Sequence, residues 1–575
     1  MMLERLATDI LILGSGGAGL FAALHAHQTN PGLAIAIASK GLLGKCGCTR
    51  MVQGGYNVAL HKGDSIERHF MDTIEGGKWL PNQKMAWTLV SKAIERVQEL
   101  ENEIGCFFDR NADGSLHGKA FAGQTFDRTV HKGDLTGIEI INRLMEQVWA
   151  RPIERLEEHR AVALIPAAGG QALAGVLLLD VRTGNFRFVS AKAVLLATGG
   201  GPTMYRYHTP SGDKSMDGLA MALRLGLPLR DMEMVQFHPT GLLAGPDTRM
   251  TGTVLEEGLR GAGGHLLNGK GERFMQARDP RAERATRDFV SRCIYEEMRA
   301  GRTSPHGGVY IKMAHLGPDQ VAREFKGMVE RCADCGFDLA AGLVEVVPTA
   351  HYLMGGVICD VDTSTELAGL FVAGEDAGGA HGANRLGGNG VANSTVFGGI
   401  AGESMARWIA AHPGHRAADE AVVHSELVRA QHPLGPPPGD LNRLRERLLD
   451  CMWDEVGVIR NAAGLRRGGA ALEALEQELL ATGLADGERA FNLTWHDWLN
   501  LRSLIEVSKA ILAAAQQREN SRGAHFREDF PDAGDLATSS FTVVRQHGAG
   551  LSVSSEPVEF SIVRPGESLL PEAAQ

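Results

Sequence analysis

Histidines and arginines set among glycines are the residues of this chain with the most chemistry to offer. His238 stands in Phe237-His238-Pro239-Thr240-Gly241, where the proline and glycine predict a turn rather than a helix face. His351 stands in Thr349-Ala350-His351-Tyr352, just ahead of Gly355-Gly356, and Arg385 lies in a glycine-rich stretch from Gly382 to Gly388. Arg287-Asp288 sits at the edge of a polar segment expected to be helical. Guanidinium groups grip carboxylates through two parallel hydrogen bonds, so such a set suits a small anion. Taken one at a time, each residue reads equally well as a turn histidine capping backbone or an arginine solvating a surface. Their occurrence together favours a site.

Something must hold these residues around a common point, and the glycines suggest what. Asp9-Ile10-Leu11-Ile12-Leu13 is a short apolar run of the kind buried in parallel sheets. Gly14-Ser15-Gly16-Gly17-Ala18-Gly19 follows at once, then a helical stretch from Leu20, then a second apolar run, Leu33 to Ser39. This strand–turn–helix–strand order gives the GxGxxG pattern its meaning. The first glycine makes the tight turn, the second admits a pyrophosphate, and the third lets helix and strand touch. The helix N-terminus then offers free N–H groups to the phosphates. The second run ends in Ser39-Lys40 rather than an acid, which argues against a simple NAD site. Gly41, Gly44, Gly47 and Gln53-Gly54-Gly55 continue the pattern, as if backbone passed beneath an extended cofactor. Two further strand-to-glycine junctions come much later, at Ala193–Gly200 and Gly369–Glu375. One cofactor domain assembled from distant segments, with an insertion between them, accounts for all three.

Composition removes other classes. The chain has 575 residues, 44% hydrophobic and 22% charged, which is globular and long enough for two to four domains. A net charge of -11 without a long basic run argues against general nucleic-acid binding. No stretch reads as a membrane span or a signal peptide. Eight scattered cysteines suggest a reduced, cytoplasmic setting. Cys332 and Cys335 form one CxxC without a second pair, so no metal site and no iron–sulfur cluster is expected in this chain.

Several ordered motifs carry a resemblance that covers Asp9 to Pro531. They are GSGGAG at 14–19, QGG at 53–55, ATGG at 197–200, FHPTG at 237–241 and EEGLRGAGG at 256–264. TAHYLMGG at 349–356, GLFVAGE at 369–375, HGANRLGGN at 381–389 and NSRGAHFREDFP at 520–531 complete the series. The chain resembles the flavoprotein subunit of the succinate dehydrogenase/fumarate reductase family, which includes L-aspartate oxidase. The resemblance implies an α/β fold: a Rossmann-like FAD-binding domain, an inserted α+β capping domain and a C-terminal helical domain. It implies hydride transfer at flavin N5, with proton transfer at the adjacent substrate carbon. His238, His351 and Arg385 would hold a dicarboxylate, Arg287 would pass the proton, and Glu257 and Arg260 would relay it. For FAD it picks out Gly14, Gly16, Gly17, Ala18, Gly19, Ser39, Lys40, Cys48, Thr49, Gln53, Gly54 and Gly55. To these it adds Ala197, Thr198, Gly199, Asp217, Glu375, Arg385 and Asn389. On residue type alone, Asp217 reads equally well as a helix N-cap.

The chain also departs from the family. Cys48 stands where the succinate and fumarate enzymes carry the histidine joined covalently to flavin, so noncovalent FAD is expected. Phe121 stands where L-aspartate oxidase has a glutamate facing the substrate amine. Glu256 replaces a threonine that binds a substrate carboxylate, and an ionised Glu256 there would repel the substrate. Ala262, Gly390 and Ser215-Met216 are further replacements.

The expected layout is an FAD-binding domain at 1–234 and 351–410, a capping domain at 235–350, a helical domain at 411–535, and an extension at 536–575 with a short strand pair. The expected activity is succinate–fumarate interconversion, or reaction with a closely related dicarboxylate; the alternative is oxidation of L-aspartate to iminoaspartate. Partners, namely an iron–sulfur subunit together with quinone-linked membrane proteins, would hold the protein at the inner face of the cytoplasmic membrane.

Overall fold

The computed structural model describes residues 3–246, 248–548 and 550–571. Its central sheet is mostly parallel. In spatial order its strands are Glu154–Glu157, Ile35–Ser39, Glu4–Leu13, Phe186–Leu196, Leu173–Asp180 and His159–Pro166, and Leu370–Val372 adds to Phe186–Leu196. Ile10 to Leu13 and Ile35 to Ala38 are almost wholly buried, as continuous apolar runs between helices must be. The three strand-to-glycine junctions meet here. Leu13 and Val372 both lie beside Leu196 in parallel register, so Gly14, Ala197 and Ala373 emerge at one edge of the sheet.

A second sheet is antiparallel, ordered Val235–Leu242, Leu343–Leu353, Val309–Lys312 and His265–Leu267. It has its own apolar cluster, including Leu242, Leu259, Ile294, Ile311 and Val344. Burying each such side chain contributes roughly 1.5–3 kcal/mol. His238 lies inside the strand Val235–Leu242 and not at a turn, which corrects the expectation from Pro239. Proline lacks a ladder donor, and the sheet absorbs it with a register shift between His238 and Gly241. His351 belongs to the same sheet, because Leu343–Leu353 runs through the boundary drawn at 350/351.

The helices Leu441–Glu455, Ala462–Leu480 and Leu493–Gln517 pack together and share one core with the parallel sheet through Trp495 and Trp498. Near the end of the chain, Ser540–His547 and Gly550–Pro557 form the expected hairpin, and its first strand pairs with Leu229–Arg230.

Candidate functional site

One long cavity runs from the sheet edge at Gly14 to the capping sheet at His238. Its outer part is a glycine cradle. Gly14 has φ of +113°, and a Cβ there would stand 2.1 Å from the Ala197 carbonyl oxygen. A Cβ on Gly19 would stand 2.0 Å from the Gly14 oxygen, so Gly19 serves helix–strand contact and does not itself line the cavity. The helix Gly17–Thr29 begins at Gly16 with no side chain capping it and no acid in its first turn. Thr49 takes the Gly17 N–H at 3.0 Å, while the following N–H groups have no side-chain partner. Ser39, Lys40, Cys48, Gln53, Gly54, Gly55, Thr198, Gly199, Asp217 and Glu375 all line the same cavity.

Several of these side chains are oriented by one another. Lys40 reaches Asp217 at 3.3 Å and Ser215 at 3.0 Å, and burial lowers its ammonium to about 8. Asp217 also accepts from Arg160 at 2.6 Å. It is the first residue of the helix Asp217–Arg224, and the cap position falls on Met216. Glu375 accepts from the N–H groups of Leu353 and Gly201 at 2.9 and 3.1 Å, and burial raises its carboxyl to about 7. Burial pushes the Cys48 thiol up to about 12, which leaves it a poor nucleophile. Asn389 is the exception. Its side chain is fully buried among Asn57, His69 and Thr73, so it ties the helix Asn389–Ala411 to the strand Tyr56–Asn57 and the helix Ile66–Gly76 instead of facing the cavity.

The inner end is cationic. Arg287 opens the helix Arg287–Arg299 and donates from Nε and Nη2 to Glu257 Oε2 at 2.9 and 2.5 Å. Glu257 Oε1 accepts from Arg260 at 2.9 Å, so one buried carboxylate carries two guanidiniums. Burial alone would raise Glu257, but Arg287 and Arg260 outweigh it and the net shift is downward. Burial lowers the Arg260 guanidinium below its ordinary value. Gly387 makes the contact possible, since a Cβ there would lie 2.3 Å from Glu257 Oε2.

Across the cavity, Arg385 has no carboxylate partner among the described residues. It lies over the Tyr352 ring at 4.5 Å, and its buried Nε has no hydrogen-bond acceptor. Burial and the nearby Arg287 charge lower it to about 10. A Cβ on Gly390 would stand 2.8 Å from Arg385 Nη1, which gives that glycine a reason. The rings of His238 and His351 stand 5.4 Å apart. Burial and the positive charge of Arg287 hold both well below the ordinary imidazole value, so both are neutral. The Thr240 N–H donates to His238 Nδ1 at 3.3 Å, which places the remaining ring proton on Nε2. Thr209 fixes His351 through Nδ1 at 2.7 Å.

Sequence reasoning missed Thr209, Thr240, Gln236 and Tyr352. Gln236 accepts from Arg287 at 3.1 Å and donates to the Arg385 carbonyl at 2.8 Å. Strand alternation was the available signal for it, because residues two apart on a strand share a face with His238. Arg260 does not line the cavity; it stands behind Glu257.

These residues fit FAD. The outer cavity offers a helix N-terminus whose N–H groups after Gly17 have no side-chain partner, and a row of glycines. The buried Gln53 Oε1 there has no donor, and the buried Arg385 Nε at the inner end has no acceptor. Parallel sheet, glycine cradle and cationic pocket together define an FAD-dependent oxidoreductase.

Comparison with known proteins agrees. Residues 9–391 match the family model described as FAD binding domain, and residues 445–570 match fumarate reductase flavoprotein C-term. An uncharacterized FAD-dependent oxidoreductase of Methanocaldococcus jannaschii is 39% identical over 91% of this chain and 94% of its own. A fumarate reductase (CoM/CoB) chain of Methanothermobacter marburgensis is 38% identical over 92% of this chain and 95% of its own. A mutant quinol fumarate reductase of E. coli superposes with a TM-score of 0.93 at 32% identity, covering 98% of this chain and 99% of that one. The chain belongs to the succinate dehydrogenase/fumarate reductase flavoprotein family.

Proposed function

We propose that this protein interconverts fumarate and succinate, with the residues of the inner cavity in the following roles. Ser39, Lys40, Gln53, Asp217 and Glu375 hold FAD along the glycine cradle. When bound, FAD supplies the ring that gives or takes hydride. His238, through Nε2–H, together with His351 and Arg385, binds the substrate carboxylates and stabilises the charge that builds on one of them during reaction. Arg287 delivers the proton to the substrate carbon or removes it. An arginine is a weak acid, so its proton must be replaced from a nearby group in a dry site. Glu257 does this, and Arg260 replenishes Glu257. The observation that carries the reading is the buried Glu257 bridging Arg287 and Arg260, opposite a buried Arg385 whose Nε meets no acceptor from the protein.

L-aspartate is disfavoured as substrate. Phe121 is buried against the cavity wall, where a Cβ on Gly54 would stand 2.4 Å from its ring. A phenyl group offers nothing to an ammonium group at that position. Among the described residues no helix is long and apolar enough to cross a membrane, and no side-chain cluster could hold a metal. The proposed sources of electrons are an iron–sulfur subunit with a quinone-linked membrane partner, which place the protein at the cytoplasmic face of the membrane.

The test is a substrate panel with the purified flavoprotein. Fumarate-dependent oxidation of a reduced viologen dye supports the proposal. Peroxide and iminoaspartate formed from L-aspartate, without fumarate reduction, would overturn it.

A further inference from the structure

Glu256 lines the same cavity as His238 and is 2% exposed. Its backbone is tied to the His238 strand. Leu255 donates to the Thr240 carbonyl at 2.9 Å, and the Thr240 hydroxyl returns a bond to the Leu255 carbonyl at 3.0 Å. Thr240 is also the residue that orients His238, so the backbone of Glu256 is fixed to the strand that carries His238, and both side chains line the cavity. A carboxylate there would oppose an anionic substrate. Among the described residues one cation meets it: Lys119 Nζ, on the two-residue strand Gly118–Lys119, stands 3.3 Å from Glu256 Oε2 and donates also to the Gly133 carbonyl at 2.8 Å. The other charged groups around it are Asp134 from the loop after that sheet, Arg331 from the helix Lys326–Ala333, and the adjacent Glu257. Glu257 is already saturated by two guanidiniums, whereas Glu256 has a single long contact. Burial accordingly pushes the Glu256 carboxyl above the ordinary carboxylate value despite Lys119.

We infer that Glu256 takes up a proton when a dicarboxylate binds, and that the resulting neutral acid donates a hydrogen bond to one substrate carboxylate. The balance is simple: one proton moves from solvent to the Glu256 carboxylate, no covalent bond within the substrate changes, and Lys119 is left to the Gly133 carbonyl. The inference rests on the reading that this cavity holds a dicarboxylate. It explains how a site with an extra acid in its wall still accepts a dianion. It also makes affinity a function of pH. Binding favours the protonated form, so affinity falls as pH rises above the pKa of Glu256 in the free enzyme, by about tenfold per pH unit.

The experiment measures binding of malonate, a dicarboxylate that does not react, to the FAD-loaded protein by the change in flavin absorbance. The pH is varied between about 7 and 9, where malonate is fully ionised and Arg385 keeps its charge. The parent should weaken about tenfold per unit across this range. Glu256→Gln, whose amide donates a hydrogen bond at every pH, should hold a near-constant Kd. Lys119→Met removes the partner of the ionised form and should move the parent's decline to higher pH. Parallel pH slopes in the parent and Glu256→Gln would overturn the inference and assign the proton to another group of the cavity, such as His238, His351, Lys40 or Glu375. Failure of malonate to bind the parent at any pH would instead overturn the dicarboxylate reading itself. Retained flavin absorbance shows that each variant is folded.

Discussion

Replacing Arg287 by alanine is the most direct test of the proton route. The side chain makes two contacts with Glu257 Oε2 and one with Gln236. Among the described residues no other guanidinium both lines the cavity and touches Glu257, because Arg260 stands behind it. Loss of a positioned general acid costs about 10²–10⁴ in rate, equivalent to roughly 3–5.5 kcal/mol of barrier. Stability should suffer less. Breaking a buried ion pair outright costs about 3–5 kcal/mol, but Glu257 keeps Arg260 at 2.9 Å and is not left uncompensated. Arg287→Ala should therefore bind FAD, retain its flavin spectrum and reduce fumarate about 10³-fold more slowly in kcat. Arg287→Lys should recover little, because an ammonium cannot reproduce the two-point contact with Glu257. A kcat within about tenfold of the parent, with full FAD occupancy, would refute the proton-transfer role.

Other outcomes follow from the same geometry. Gly14→Ala should abolish FAD binding and stable folding, read by flavin content and thermal melting, because its Cβ would meet the Ala197 oxygen at 2.1 Å in a positive-φ conformation. Acid precipitation should leave the yellow colour in the supernatant, and Cys48→Ala should not change this, because the Cys48 thiol is held near 12. Glu375 should give a pH-dependent stability difference in the FAD-free protein. Its carboxyl is raised to about 7, so its contribution is full below the ordinary carboxylate value and is lost as pH rises through about 7. Glu375→Gln should therefore melt higher than the parent at about pH 8 and close to it near pH 4, by calorimetry at both pH values.

The parts of the fold that the sequence made legible are those whose cause is local. Glycines 14, 16 and 19 follow a buried apolar run, and that order alone predicts a strand, a phosphate turn and a helix. Alternation near the C-terminus predicts the hairpin that the structure contains. His238 was misplaced at a turn because Pro239 is a strong local signal, and the tertiary pairing with Leu343–Leu353 overrides it. Asn389 looked like a cofactor residue by position, but its partners Asn57, His69 and Thr73 are more than 300 residues distant, beyond any spacing argument. Lys119 had no visible signal at all. Its importance comes only from meeting Glu256, a residue 137 positions away.

The inner cavity draws on two sheets, which also meet in one core, since Val235, Phe237 and Leu353 of the antiparallel sheet pack with the parallel sheet. His238, Glu257 and Arg287 ride on the antiparallel sheet and its own apolar cluster, whereas Arg385 and the glycine cradle belong to the parallel sheet. On the proposed reading, a dianion gripped from both sides would act as a crosslink between them. Ligands too short to span the gap should then hold the halves together less firmly, even where each carboxylate is bound well. Protease resistance would consequently track the length of the diacid as well as its affinity.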